Sequence, residues 1–245
     1  MNTMTEFERY LFDLQGFLII ENALSSDHIQ ALNLVLDQQI ALHNQPERSF
    51  FRFDGLLPWG EAFQALIDHP RITPYLKELI GEQFRLDHDY VHVIRQGIGP
   101  IGSQLHGGGT PYDPCQYYLF KNGNMYNGLT AVAYELNDVH PGEGGFACIP
   151  GSHKSNLPLP EEWRNLEFPC SCVQAVTVKA GSAIIFTEAL THGTLPWRGV
   201  SDRRTLFYKY SPHPSAWARN PYHADDYPNL TPSQRQMLKK PGVYP

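Results

Sequence analysis

The chain from residue 84 onwards alternates between apolar and polar residues with a period of two, beginning at Phe84, Arg85, Leu86 and Asp87. Successive side chains of a strand point to opposite faces, so this period predicts strands with one buried face. Gly and Pro interrupt the pattern at intervals, as is typical of turns. The alternation and the apolar runs between these turns predict strands within residues 84–93, 129–136, 145–149, 173–178, 183–186 and 205–210.

The N-terminal part of the chain follows a helical pattern instead. Apolar residues recur every three to four positions within residues 6–14, 29–42 and 72–80, which predicts three helices. The run Phe17-Leu-Ile-Ile20 predicts a short strand between the first two. Helices followed by many short strands indicate an α+β fold whose β part is a barrel or a sandwich. The tail after Pro212 is expected to form an ordered wrap or lid.

Composition narrows the class of protein. A chain of 245 residues with 42% hydrophobic residues suits one domain over residues 1–245. A formal net charge of -6 gives no electrostatic basis for nucleic-acid binding. No apolar run reaches the ~18 residues that a membrane span needs, and the N-terminus lacks the pattern of a signal peptide. The four cysteines fit no zinc or redox motif, so we expect reduced thiols in a cytoplasmic protein.

Three residues in a fixed order are candidates for chemistry. His106 lies in the sequence Gln-Leu-His-Gly-Gly-Gly-Thr, and His192 lies in Thr-His-Gly-Thr-Leu-Pro-Trp directly after an apolar strand. Arg203 follows His192 by eleven residues and enters another predicted strand. A lone histidine at a strand edge is usually structural, and a lone arginine is usually solvated. The order of the three, with a Pro-Gly-Ser-His motif between the histidines, carries the inference.

That motif carries a resemblance to a known family. The segment Gly145-Phe-Ala-Cys-Ile-Pro-Gly-Ser-His153 resembles a motif of the phytanoyl-CoA dioxygenases, and His192-Gly193-Thr194 followed by Arg203 is similar to their distal motif. The N-terminal Gly16-Phe-Leu-Ile-Ile20 is also typical of the family. The resemblance covers residues 10–212 approximately. It implies a double-stranded β-helix, a cupin-like jelly roll, with flanking N-terminal helices.

The resemblance also implies an activity. Members of the family use iron(II), 2-oxoglutarate and dioxygen to hydroxylate a small or medium organic molecule, and they release succinate and carbon dioxide. His106 and His192 match the iron ligands. Arg203, assisted by the Thr194 hydroxyl, matches the residue that holds the far carboxylate of 2-oxoglutarate, since a guanidinium donates two parallel hydrogen bonds. In a strand, Arg204 would point to the opposite face.

This sequence departs from the family pattern at the third iron ligand. The family has His-x-Asp or His-x-Glu, but here Gly108 stands where the carboxylate is expected. One hypothesis is a carboxylate from elsewhere, with Glu188 ahead of Asp113. In an extended strand the Cα atoms of Glu188 and His192 would be ~13 Å apart, which is too far for one metal ion, whereas a bent linker would make them neighbours.

Two other hypotheses remain open at the level of sequence. The protein is a halogenase, in which chloride occupies the position left by the carboxylate, or it is a catalytically silent binding protein on the same scaffold. A cupin-like metal enzyme without 2-oxoglutarate is a further alternative. Lys209, Tyr134 and Tyr118 are candidates to line the pocket, and His153 is expected to support the barrel or its mouth. No motif identifies the substrate.

Overall fold

The computed structural model describes residues 4–43, 48–95, 104–166 and 170–243. The helices in these ranges are α1 (Glu6–Gln15), α2 (Ser26–His43), α3 (Glu61–Gln64), α4 (Thr73–Ile80) and α5 (Pro232–Met237). The strands are β1 (Phe17–Ile20), β2 (Phe50–Asp54), β3 (Phe84–Ile94), β4 (Tyr118–Lys121), β5 (Asn124–Asn127), β6 (Thr130–Glu135), β7 (Gly145–Cys148), β8 (Gln174–Ala175), β9 (Ala183–Thr187), β10 (His192–Leu195) and β11 (Arg203–Pro212).

The strands form a jelly roll, as predicted. A six-stranded sheet has the order β1-β9-β6-β11-β3-β2, and a three-stranded sheet has the order β10-β7-β8. All pairs in both sheets are antiparallel. Strand β11 lies at the centre of the large sheet, paired with β3 on one side and β6 on the other, so its side chains are buried on both faces.

Two apolar cores lie on the two faces of the large sheet. Between the sheets, Phe146 of β7 packs with Phe186 of β9 and with Phe207 of β11 in one buried cluster. On the opposite face, α2 contributes Leu32 and Leu36 to a second cluster, which also contains residues of α3 and α4. The helices therefore cover the outer face of the large sheet, and the space between the sheets is left for the candidate site.

The predicted helices and the apolar strands are found near their expected positions, but several short strands were missed. The hairpin β4–β5 carries the clearest overlooked signal. Its turn contains Asn122-Gly123, both with positive φ, which is the residue pair most typical of a two-residue hairpin turn. Strand β10 was not expected either, because its sequence His192-Gly-Thr-Leu195 has no apolar alternation.

The C-terminal segment wraps around the outer side of β3. The backbone N–H groups of Trp217 and Ala218 donate to the Asp87 carboxylate, and the Asn220 amide donates to the Leu86 carbonyl. This confirms an ordered wrap. Cys115, Cys148, Cys170 and Cys172 are all free thiols. Among the described residues, none of the helices has the length and apolar character needed to span a membrane.

Candidate functional site

The structure brings His106 and His192 together through their backbones. The N–H of each residue donates to the carbonyl of the other, at 2.9 Å in both directions, and this forms an isolated antiparallel bridge. The two imidazole ring centroids lie 4.3 Å apart. Residues 86 positions apart in the chain therefore share one small region at the start of β10.

Hydrogen bonds set the tautomer of both neutral rings. The Nδ1 atom of His106 lies 3.1 Å from the Gln104 carbonyl, and the Nδ1 atom of His192 lies 2.7 Å from the Leu190 carbonyl. A carbonyl only accepts, so each Nδ1 carries the proton and each Nε2 keeps a free lone pair. Metal-binding histidines usually have this arrangement, in which the second ring nitrogen is held by a carbonyl or carboxylate. The pair fits a metal ion by this criterion.

Glu188 lies next to the histidine pair because β9 ends at Thr187 and a turn follows. The N–H of Leu190 donates to the Thr187 carbonyl in this turn, so residues 188–192 are not extended. The Glu188 Oε2 atom lies 3.9 Å from the His192 Nε2 atom, and its Oε1 atom lies 2.8 Å from the Lys209 ammonium. The ~13 Å separation of Glu188 and His192 that an extended strand would impose is therefore absent.

Glu188 is ionised in this buried position. Burial alone would raise the pKa of its carboxyl group, but the attraction of Lys209, and then of His192, lowers that pKa to about 2. Burial lowers the pKa of His192 to about 3, so its ring is neutral and able to bind a metal. Within the described residues, no group of three or more His, Cys, Asp or Glu side chains is already close enough together to hold a metal ion.

The first two glycines after His106 are required by the turn that carries Glu188. A Cβ atom on Gly107 would lie 2.6 Å from the carbonyl oxygens of both Glu188 and Leu190. Gly108 has a φ of +107°, a conformation that L residues rarely adopt, and its Cβ would meet the Thr191 hydroxyl at 3.1 Å. In this backbone an aspartate at 108 would be strained. Gly107 and Gly108 are explained by close packing against residues 188–191, and Gly109 by the His153 carbonyl, which a Cβ atom there would meet at 2.6 Å.

Asp113, the second alternative carboxylate, is used elsewhere. Its Oδ1 atom accepts hydrogen bonds from the backbone N–H groups of Cys115 and Gln116, at 2.6 and 3.0 Å. It thus closes a turn.

Arg203 is buried at the start of β11 with part of its guanidinium unused. Its Nη2 atom donates to Glu135, whose other oxygen accepts from the Thr205 hydroxyl at 2.7 Å. Among the described residues, Nε and Nη1 of Arg203 have no hydrogen-bond partner. An unpaired buried donor is costly, so each of these two donors is available to a carboxylate ligand.

Gly145 leaves the space that Arg203 occupies. A Cβ atom at Gly145 would lie 3.2 Å from the Arg203 Nε atom. Gly145 pairs with Leu195, one residue beyond Thr194, so Arg203 lies close to the strand that begins with His192. Arg204 points the other way, where its guanidinium donates to Asn33 and Asp37 of α2.

An inner cavity of about 250 Å³ lies beside the histidine pair. It is bounded by both histidines, by Thr194 and Lys209, and by residues of β2 and β3 that were not assigned a role in the site from the sequence. The full described lining is Phe50, Arg52, Tyr90, His92, His106, Phe146, Phe186, His192, Gly193, Thr194, Phe207 and Lys209. The alternation along β3, which puts Tyr90 and His92 on one face, was the available signal for two of them.

An outer cavity of about 410 Å³ lies beyond the glycine run. Gly107, Gly108 and Thr191 line it, whereas the adjacent residues His106 and His192 line the inner cavity. The rest of its described lining consists of uncharged residues, which include Leu157, Leu159, Trp163, three prolines and several hydroxyl groups.

Two other residues predicted to line the pocket, Tyr134 and Tyr118, lie elsewhere, whereas His153 supports the barrel as expected. Tyr134 is on the outer face of the large sheet, where its ring packs against Tyr208 and His69. Tyr118 donates to the Asp13 carboxylate. His153 packs edge-on against Tyr118, and its Nε2 atom lies 3.1 Å from the Asp13 carbonyl. His153 therefore connects α1 to the barrel.

Fold and site together define a jelly-roll protein in which a buried histidine and an exposed one form a pair, with a buried arginine nearby that has unused donors. The family model for phytanoyl-CoA dioxygenase matches residues 12–205. The chain belongs to the phytanoyl-CoA dioxygenase family, which confirms the resemblance seen in the sequence motifs.

Solved structures support the same fold. HygX from Streptomyces hygroscopicus with nickel and 2-oxoglutarate bound has a TM-score of 0.79 and 23% identity, and the match covers 89% of this chain and 90% of HygX. HygX with iron bound has a TM-score of 0.77, the same identity and the same coverage. HygX with nickel, 2-oxoglutarate and hygromycin B has a TM-score of 0.74 and 23% identity, with 88% and 90% covered. No curated protein matches the sequence significantly.

Proposed function

We propose that this protein is an iron(II)- and 2-oxoglutarate-dependent oxygenase that hydroxylates a small or medium organic molecule. The observation that carries the proposal is the histidine pair, whose Nδ1–H groups are tied to carbonyls so that both Nε2 lone pairs are available. Membership of the family supports the class of reaction. The HygX structures, which hold iron, nickel and 2-oxoglutarate on the same fold, support the predicted cofactors.

Each residue of the site has a distinct task in this proposal. His106, His192 and Glu188 would hold the iron, and two imidazoles with one carboxylate are the ligand set that such oxygenases use. Arg203 would bind the far carboxylate of 2-oxoglutarate through a guanidinium donor that Glu135 leaves unpaired, and Thr194 would add a hydroxyl donor. When bound, iron(II) with 2-oxoglutarate and dioxygen supplies the oxidation of a C–H bond. Phe146, Phe186 and Phe207 form an apolar part of the wall of the inner cavity.

Two observations favour Glu188 as the third ligand over an open position for chloride. Its carboxylate is ionised, buried and 3.9 Å from the His192 Nε2 atom. The backbone at Gly108 is left-handed, and residue 108 lines the outer cavity instead of the inner one. The glycine is thus explained by packing, and it is not needed as a vacant coordination position.

The proposal is tested by metal binding and by turnover of the cosubstrate. Purified protein with iron(II), 2-oxoglutarate and dioxygen is expected to produce succinate, even slowly without the substrate. His106→Ala and His192→Ala should each abolish iron(II) binding, measured anaerobically, because one imidazole and a carboxylate do not form a tight site. The variant His140→Ala, at an exposed turn, is the matched control and should bind iron normally.

The outcomes separate the competing functions. Unchanged iron content in both histidine variants would contradict the metal site. Iron binding without any succinate would favour a silent binding protein. A product that contains chlorine, formed only when chloride is present, would favour the halogenase.

A further inference from the structure

Lys209 is a buried cation in direct contact with one of the proposed iron ligands. It lies on β11, on the same face as Arg203 and Phe207, and it lines the inner cavity. Its ammonium is 2.8 Å from the Glu188 Oε1 atom, and the two side chains are 10% and 5% exposed. Tyr90 lies on β3, which pairs with β11, and its ring centroid is 5.5 Å from the same ammonium.

The two oxygens of Glu188 consequently face different groups. Oε1 is paired with Lys209, whereas Oε2 is the oxygen near the His192 Nε2 atom. A buried carboxylate without a counter-charge would be strongly unfavourable, and Lys209 provides that charge. The same ammonium also competes with any cation for Glu188, because both are attracted to one carboxylate.

We propose that Lys209 is a positioning residue which keeps Glu188 turned so that one oxygen is offered to the metal, and which weakens metal binding by occupying the other. The inference rests on the proposed function, since it assumes that Glu188 is a ligand. Lys209 therefore lowers the affinity of the site for the metal. In return, the Glu188 carboxylate is already held in position before the metal binds.

Electrostatics predicts whether the loss of Lys209 strengthens or weakens iron binding. Lys209 and a divalent ion on the opposite carboxylate oxygen repel each other across a few ångströms of buried space. Removing the ammonium ends that repulsion and leaves Glu188 without a counter-charge other than the metal. We expect Lys209→Met to bind iron(II) at least about tenfold more tightly than the wild type, since charges this close interact by several kcal/mol at an effective dielectric constant near 20.

The experiment measures iron(II) affinity anaerobically at one fixed pH near neutrality, with thermal unfolding of each variant with and without the metal. The variants are Lys209→Met, Glu188→Gln and the double substitution. Lys209→Gln keeps a hydrogen-bond donor without the charge, so it replaces Lys209→Met if that variant does not fold. Lys209→Arg keeps the charge and should bind iron as the wild type does.

Lys179→Met provides a matched control for net charge. Lys179 pairs with Asp138 at 3.0 Å on the surface, so its loss also removes one positive charge but far from the ligands. Iron affinity should be unchanged in this variant. The metal-induced rise in melting temperature should be larger for Lys209→Met than for the wild type, whereas a purely structural lysine would lower the melting temperature equally with and without metal.

The variants separate failure of this inference from failure of the proposed function. If Glu188→Gln weakens iron binding but neither Lys209→Met nor Lys209→Gln strengthens it, the role of Lys209 is wrong and Glu188 remains a ligand. If Glu188→Gln leaves iron affinity unchanged, the proposed ligand set itself is wrong. If the gain from Lys209→Met persists in the double variant, Lys209 acts on the metal without Glu188, and the positioning role is overturned.

Discussion

The position of the Arg203 side chain depends on Gly145, a neighbour that has no side chain. Gly145 begins β7 with a φ of +86°, and the space where its Cβ would stand is taken by the Arg203 guanidinium at 3.2 Å. Any side chain there would press on the Nε atom, one of the two donors that Glu135 leaves unpaired. Position 145 therefore favours glycine for two reasons, the positive φ of its backbone and the nearby Arg203 guanidinium.

We expect Gly145→Ala to weaken 2-oxoglutarate binding and to leave iron binding intact. Losing one well-placed hydrogen bond to a carboxylate costs ~1.5–3 kcal/mol, or roughly tenfold or more in affinity. Gly142→Ala is the control, because Gly142 has the same φ of +86° but nothing within 4 Å of its Cβ position. Calorimetric titration of 2-oxoglutarate onto the iron-loaded variants, without oxygen, distinguishes them. Equal affinity in both variants would exclude Nε as the donor to 2-oxoglutarate.

Strand β11 divides its two adjacent arginines between two faces of the sheet. Arg203 points into the barrel and pairs with Glu135, which lies across the β6–β11 ladder beside Thr205. Arg204 points outward to α2, where its partner Asp37 is exposed. Alternation of side chains along a strand produces this division, so adjacent residues of the same type have unrelated tasks.

Substitution by methionine should separate the two arginines. Arg203→Met is expected to abolish 2-oxoglutarate binding and to destabilise the protein by ~3–5 kcal/mol, because Glu135 is left buried without its counter-charge. Arg204→Met should cost no more than ~1 kcal/mol and leave 2-oxoglutarate affinity unchanged. Arg203→Met combined with Glu135→Gln should recover most of the stability without recovering binding. Urea unfolding and cosubstrate titration measure the two effects, and retained binding in that double variant would exclude Arg203 as the anchor.

Buried ionisable groups distant from the site make the stability of the whole molecule depend on pH. Burial lowers the pKa of His153 to about 4, and likewise that of His69 to about 4. In the unfolded chain these rings take up protons below the ordinary histidine pKa of 6.5, so folding stability falls as the pH decreases from there towards 4. Asp89 acts oppositely, since burial raises its pKa to about 7 and stability falls as the pH rises from 3.8 towards that value.

Two variants should change this pH dependence with opposite signs. His153→Gln removes a group whose stability contribution rises with pH, so the slope of unfolding free energy against pH should become less positive by up to about 1.4 kcal/mol per unit. Asp89→Asn should make that slope more positive by a similar amount. Urea unfolding between pH ~4.5 and ~6.5 gives both slopes. Parallel curves for wild type and both variants would show that these groups do not titrate as proposed.

Local sequence determined some parts of the molecule and long-range contacts determined others. Motif order predicted that His106, His192 and Arg203 belong together, and periodicity predicted the main strands. The approach of Glu188 to His192 could only be a hypothesis at the level of sequence, because it depends on a turn that packs against Gly107 of a distant segment. The partner of Arg203 was equally hidden, since Glu135 is placed beside it only by the register between β6 and β11.

The reciprocal hydrogen bonds between residues 106 and 192 have a consequence for assembly of the chain. The two imidazoles meet at one site only when the segment that contains residue 106 has been added alongside β10. Metal uptake thus requires a completed tertiary structure, and a partly folded chain has no preformed chelate to capture adventitious ions. Time-resolved metal capture during refolding would then report the pairing of this segment with β10.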